Sequence, residues 1–447
     1  MAAVPDEKKP DVVLTIQPLA NSEASLPAIE AVEAGPKPPN DDNDADLYPD
    51  GGSRAWLQVL ACHLVNTMAC GYGAAFGIYQ LYYTETLGLP SSQISWIGSV
   101  QIFLNNAMCV VAGRLADAGY VRGTVLSGSF LALVGTFMTS LATQYWQIFL
   151  AQGICTGLGL GFMFMPTVTI ITSYFRRRRA LALTLSSAGT GTGSIVFPAT
   201  VQYLIPRIGF PWAVRCAGFV ALFMIMVMSL LIKPRNTNTP RKAGPMVELA
   251  AFKEAPYVLI IVGTFFLYWA LYFGFFYMNT YAIDVASFTP TSAVSLTLIM
   301  NGVGMISRPL IGYLADDFLG TINALIISTV IFAGTLFAWI GIKTAPAMYG
   351  FAVLFGLTNS AAQGAVAGAL ASLTKDPAKM GARFGMCFTI VSIATVAGPP
   401  TAGAIIDMCK GSFLWAQVWA GAVTMMSATA ILMARWWVVG WKFWAKV

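Results

Sequence analysis

Gly113-Arg114-Leu115-Ala116-Asp117 returns as Gly312-Tyr313-Leu314-Ala315-Asp316, 199 residues later in a chain of 447. Each copy closes an apolar run of more than 20 residues, 93–115 in one case and 291–314 in the other. A repeat at this interval reads as a chain built from two homologous bundles, whose interface is where a small molecule would bind. Each letter of the element has a physical task. Glycine lets two helices approach closely. An aspartate at a helix end can meet a basic side chain or the positive N-terminus of another helix. Gly113 and Asp117 in one half, and Gly312 and Asp316 in the other, therefore read as a pair of gating latches, each made in one conformational state and broken in another.

Outward from the repeat, the chain is apolar almost throughout. Hydrophobic residues make up 57% and charged residues 10%, and the mean hydropathy is +0.67. A soluble domain carries about 25% charged residues, so this composition excludes a soluble enzyme and a nucleic-acid-binding domain. A helix needs about 20 apolar residues, at 1.5 Å each, to cross roughly 30 Å of hydrocarbon. Twelve runs qualify: about 56–82, 93–115, 122–142, 146–172, 179–204, 211–232, 257–283, 291–314, 321–342, 346–372, 383–407 and 413–438. The expected fold class is an all-α membrane protein with twelve transmembrane helices in two pseudo-symmetric six-helix bundles. The boundaries are a tail over 1–54, a bundle over 55–232, a charged linker over 233–256 and a second bundle over 257–447. The tail holds 11 of the 20 acids; with its Pro, Ser and Asn it reads as disordered and cytoplasmic.

Lys and Arg fix the expected orientation. With the N-terminus inside, 21 of the 26 fall on inside segments, three on outside loops and two, Arg215 and Arg308, within spans. That asymmetry puts both termini in the cytoplasm, and the plasma membrane is the expected location. Trp436, Trp437, Trp441 and Trp444 read as an interfacial aromatic belt.

With the twelve runs, the central linker and the two Gly-x-Leu-Ala-Asp elements, the chain resembles the major facilitator superfamily. More narrowly it resembles the monocarboxylate porter family and its large fungal group. Pro49-Asp50-Gly51-Gly52 ahead of Ala55-Trp56, Ile94-Ser95-Trp96-Ile97-Gly98-Ser99, Tyr174-Phe175-Arg176 through Ala180, and Arg308-Pro309 carry that resemblance, which covers about residues 48–438. It implies secondary transport. The departures bear on the substrate. Animal lactate porters resembled here have a lysine in the first span; the stretch from Gly71 to Gln80 has none. They place an aspartate four residues before the arginine; here that residue is Gly304. The reading leans accordingly toward a larger metabolite than lactate.

Arg308 is the sharpest single residue. An ionised side chain within a span is costly and marks function, and a guanidinium can hold a carboxylate with two hydrogen bonds. Its repeat-equivalent is Cys109, so the charge is not part of the shared scaffold. The alternative is an arginine that snorkels or pairs with Asp117 or Asp316. Other polar residues recur at helical spacing: Gln101 and Asn105, Tyr268 and Tyr272, Asn359 and Gln363, with Asn301 seven residues before Arg308. Each set shares a helix face. In the fold resembled, these spans line or flank the cavity. The tyrosines and Trp269 point to a flat or amphipathic molecule. Hydrogen-bond glue between helices is the competing account of the same residues. His63, the lone histidine, is read as a packing residue before a proton shuttle.

The remaining motifs exclude. Gly189-Thr190-Gly191-Thr192-Gly193 is not followed by Gly-Lys-Ser/Thr, so it is not a nucleotide loop. The seven cysteines make no pair or cluster with ligand spacing. No catalytic constellation, metal site, cofactor, nucleotide or nucleic-acid partner is expected; the partners are the lipid bilayer and a small, anionic substrate. The function expected is alternating-access movement of an organic acid or an acidic, aromatic small molecule, in the direction of secondary-metabolite export. The alternatives are uptake of a monocarboxylate or vitamin-like nutrient, and a non-transporting receptor on the same fold.

Overall fold

The computed structural model describes residues 51–89, 91–234, 247–374, 376, 379–440, 442 and 445. The expected disorder over residues 1–50 and most of the charged linker lie outside these residues; Gly52–Arg54, counted with the tail, are helical instead. Residues 45–447 form one compact unit. Among the described residues every regular element is helical, and eleven continuous helices are long and apolar enough to cross a membrane.

The first run is the exception to continuity. Helix α1 (Gly52–Ala69) stops, a 3-10 turn covers Tyr72–Ala75, and α2 (Phe76–Leu87) resumes. No proline breaks it. The interruption falls where Gly71 and Gly73 remove side chains, and where Gly71 packs against the backbone of Gly193 and Thr67. The continuous helices then follow as α3 (Gln93–Asp117), α4 (Val121–Thr139), α5 (Tyr145–Tyr174), α6 (Arg179–Ile208) and α7 (Phe210–Leu231). After the linker come α8 (Ala255–Asp284), α9 (Ser292–Leu319), α10 (Thr321–Gly341), α11 (Ala345–Leu373), α12 (Met380–Met408) and α13 (Leu414–Val439). The apolar runs read from sequence match these helices to within a few residues. Phe130, Phe223 and Leu230 are largely exposed on helix faces, as lipid-facing side chains are.

Packing follows the small residues. In the first half α4 packs on α5, α1 on α6 and α7 on α4; in the second, α9 packs on α11, α8 on α13 and α10 on both α11 and α13. The two groups meet chiefly through α3 against α12 and α6 against α9. The glycine run of α6 sits where three helices converge. A β-carbon at Gly189 would press on the His63 carbonyl, one at Gly193 on that of Thr67, and one at Gly191 would lie 3.0 Å from the Asn301 carbonyl. The run is thus a close-packing surface, not a phosphate loop. His63 joins the same contact: Nδ1 lies 3.1 Å from the Leu185 carbonyl and Nε2 3.0 Å from the Thr192 hydroxyl. Both ring nitrogens are spent tying α1 to α6.

Candidate functional site: a cavity between the two groups of helices

The two Gly-x-Leu-Ala-Asp elements make matching contacts. The Asp117 carboxylate accepts from the Gly381 and Ala382 amides at 3.0 and 2.7 Å. The Asp316 carboxylate accepts from the Ala180 and Leu181 amides at 3.1 and 2.7 Å. Each aspartate therefore caps the first turn of a helix in the other half, where exposed N–H groups and the dipole favour an anion. The glycines are required by the approach itself: Gly113 abuts the Gly381 carbonyl, and Gly312 abuts Thr184 and Ala180. At this end of the molecule the two halves are in contact.

Beside Asp117's partners lies a residue that charge counting had left among ordinary loop cations. Arg383 is 7% exposed. Its Nε donates to Glu248 at 3.1 Å and its Nη1 to Glu254 at 2.9 Å, while Lys379 donates to Glu248 at 2.7 Å. The cluster fastens the end of the linker to the start of α12. Nothing in the spacing of Glu248, Glu254 and Arg383 announces it, since the partners are more than 120 residues apart.

Above the capped ends, a cavity of about 420 Å³ lies between the halves. Its floor includes Leu183, Ser187, Phe384 and Arg308, and its walls rise to Gln80, Asn279 and Thr297 at the opposite ends of their helices. Of the polar residues picked from sequence, Gln101, Asn105, Tyr268, Tyr272, Asn301, Gln363 and Arg308 all line it. Asn359 does not. It is fully buried and stands behind Gln363, whose Nε2 donates to its Oδ1 at 3.2 Å. Trp269 also departs from expectation: it faces away, packed on Phe265, Phe266 and Trp419. Adjacent helical residues point about 100° apart; here Tyr268 takes the cavity face and Trp269 does not. The aromatic lining comes instead from Phe76, Phe164, Phe275, Phe276, Phe384 and Phe388, which sequence reasoning passed over because phenylalanine is common on every face of these helices.

Arg308 is 7% exposed. Its Nη1 donates to the Ser187 carbonyl at 2.7 Å and its Nη2 to Gln363 Oε1 at 3.0 Å. Among the described residues no carboxylate pairs with it, and the aspartates offered as its alternative partners are engaged with helix N-termini. A carboxylate at position 304 would not fit here, since a β-carbon at Gly304 already meets Ser360. Arg215, the other arginine within a span, donates to Ser140 Oγ at 3.3 Å and lies 4.9 Å from the Trp212 ring centre, away from the cavity.

A helical bundle with a polar, aromatic cavity between two groups of spans, closed at one end by paired caps, has the architecture of a carrier. The Major Facilitator Superfamily family model matches residues 61–399, and the chain belongs to that superfamily. It is 36% identical over 395 residues to an MFS-type transporter of Gibberella zeae, covering 88% of this chain and 89% of that one. It is 34% identical over 409 residues to the aspyridones efflux protein of Emericella nidulans, covering 91% and 82%. The crystal structure of the MFS transporter FucP in the outward conformation superposes with a TM-score of 0.67 at 13% identity, covering 84% of this chain and 98% of that chain. The protein is a multi-pass membrane transporter, of a class that moves small molecules and does no covalent chemistry on them.

Proposed function

We propose that this transporter exports an acidic, aromatic secondary metabolite by alternating access, as a member of the monocarboxylate porter branch. In this reading α1 and α2 together form one discontinuous span, making twelve. The bundles are 55–232 and 257–447, rocking about the cavity. Both termini and the 233–256 linker face the cytoplasm, and the membrane is the plasma membrane. The paired caps then close the cytoplasmic end, and the cavity opens outward. The resemblance to a relative named for efflux supports the direction.

The observation that carries the reading is Arg308: a buried guanidinium on the cavity wall with no acidic partner among the described residues. A charge held so in low dielectric is expensive unless something answers it. An anionic substrate supplies that answer, and Gln363, held by Asn359, orients the guanidinium. The phenylalanines and tyrosines supply the flat, apolar remainder of the cavity.

The test is transport of a matched acid and primary amide, normalised to protein at the membrane. Arg308→Lys keeps the charge and loses the fork. Arg308→Ala removes both, and the cost for the acid is about 2–5 kcal/mol where a buried pair loses one member. The amide should be nearly indifferent to both substitutions. Equal losses for acid and amide would sink the anion assignment.

A further inference from the structure

The cavity wall facing Arg308 is built from different chemistry. At the break in the first span the Cys70 and Gly71 amides both donate to the Asn66 carbonyl, at 3.1 and 3.4 Å. The Ala69 carbonyl, left at the end of α1, accepts from Asn105 Nδ2 at 2.9 Å. Asn66 Nδ2 donates to the Cys62 carbonyl at 2.9 Å. Those two bonds set the orientation of both amides. One hydrogen of each amide nitrogen is committed to backbone, and among the described residues neither Asn66 Oδ1 nor Asn105 Oδ1 has a hydrogen-bond partner. Gln101 Nε2 also has none. All three residues line the cavity, and Asn66 and Gln101 are each 1% exposed. The C-terminal end of α1 adds the negative pole of its dipole to the same wall.

A buried polar atom without a partner carries the full penalty of its lost hydration until something bonds to it. Here two acceptors and one donor stand open together. We propose that this wall is a second subsite, which takes a neutral amide-type group of the substrate. An amide N–H answers Asn66 or Asn105, and the adjoining C=O answers Gln101. A second carboxylate does not suit the wall, because it has no hydrogen to offer the two oxygens. An ammonium does not suit it either, because it leaves the Gln101 donor unanswered. The substrate class is thus an aryl molecule that carries both an anion and a secondary amide. This deepens, and rests on, the reading of Arg308 as the anion site.

The experiment uses the full-length protein in lipid nanodiscs and isothermal titration with three probes. N-benzoylglycine carries ring, amide and carboxylate. 4-Phenylbutanoate has the same chain length with methylenes in place of the amide. The methyl ester of N-benzoylglycine keeps the amide and loses the charge. In the unsubstituted protein the amide-bearing acid should bind about tenfold more tightly than 4-phenylbutanoate, roughly the worth of one or two hydrogen bonds. Gln101→Met and Asn66→Leu, which keep side-chain volume, should each erase most of that advantage and leave 4-phenylbutanoate unchanged. Arg308→Gln should weaken both acids and spare the ester. Equal affinity of the two acids for the unsubstituted protein overturns the amide subsite. So does a loss shared equally between them in the Gln101 and Asn66 variants, or no binding of N-benzoylglycine at millimolar concentration. If Arg308→Gln spares both acids while the amide preference persists, the anion reading fails on its own.

Discussion

Neutralising the two capping aspartates should release the end of the molecule they hold closed. In Asp117→Asn and Asp316→Asn the side-chain volume is kept. One of the two oxygens facing a pair of backbone amides becomes an NH₂ group, and the charge at the helix N-terminus is gone. Loss of a cap costs about 0.5–2 kcal/mol, and loss of a partly buried charge at a helix end up to about 2. Asp117 is 2% exposed, so little of its share is screened and about 1.5–2 kcal/mol is reasonable; Asp316 is half-buried, and its share is about 1 kcal/mol. The two caps lie on different helix pairs with no shared partner among the hydrogen bonds they accept. Their effects should therefore add, giving roughly 2.5–3 kcal/mol, or about two orders of magnitude in the ratio of closed to open states.

The assay is a spin–spin distance between labels at Tyr120 and Leu249, exposed positions at the capped end, in a background freed of reactive thiols. Each single variant should raise the long-distance population and the double variant should make it dominant. Asp284→Asn, at the far end of α8, serves as a control and should leave the distribution unaltered. A double variant whose distances superimpose on those of the unsubstituted protein would refute the reasoning, because no other contact of comparable strength has been invoked to hold this end shut.

Three further outcomes are expected. His63→Gln should leave the pH profile of transport unshifted while lowering thermal stability modestly, since the ring's two contacts are structural; a displaced profile would return His63 to proton transfer. Gly77→Phe should insert and fold normally, because a β-carbon there meets nothing within 4 Å, yet should exclude bulky substrates from the cavity it lines; unchanged transport of the largest substrate refutes the boundary drawn here. Burial of Glu248 favours its neutral form, but the hydrogen bonds from Arg383 and Lys379 outweigh that and hold the carboxyl below its ordinary value of 4.5. A carboxylate with a depressed pKa contributes stability that is complete above the ordinary value and lost as pH falls through the lowered one. Labels joining the linker end to α12 should therefore stay close at pH 5 and separate only on acidification below 4.5; separation at pH 6 would contradict this.

What could be read from the sequence was governed by periodicity and repetition. Apolar runs of 20 or more gave the helices, because hydrocarbon thickness leaves few other structures. The aspartates were legible because the same element occurs twice. The first span's break was not, since glycines crowd other helices that stay continuous: Gly157, Gly159 and Gly161 abut Gln101, Ala132 and Leu104 with no comparable interruption. Only tertiary contact distinguishes a glycine that packs from one that yields. Asn359 and Gln363 were legible as a pair on one face, but not as a pair in which one member supports the other. The Arg383 cluster was hidden because charge counts by loop are silent about which cations are buried.

The division between what the halves share and what they do not also separates two jobs. The shared positions, Gly113 with Asp117 and Gly312 with Asp316, meet backbone amides in each other's half, and backbone is the same whatever the cargo. Such contacts can be kept in duplicate, because they involve no group that a cargo would touch. Position 308 and its equivalent 109 differ. Cys109 is fully buried and donates within its own helix to the Asn105 carbonyl at 3.3 Å, whereas Arg308 lies on the cavity wall. A second buried guanidinium at position 109 would raise the cost of the first. One cationic wall facing one wall of unanswered amide oxygens avoids that repulsion. On the proposed reading it also gives a bound molecule a single orientation, with its anion toward α9 and its hydrogen-bond donor toward the break in the first span.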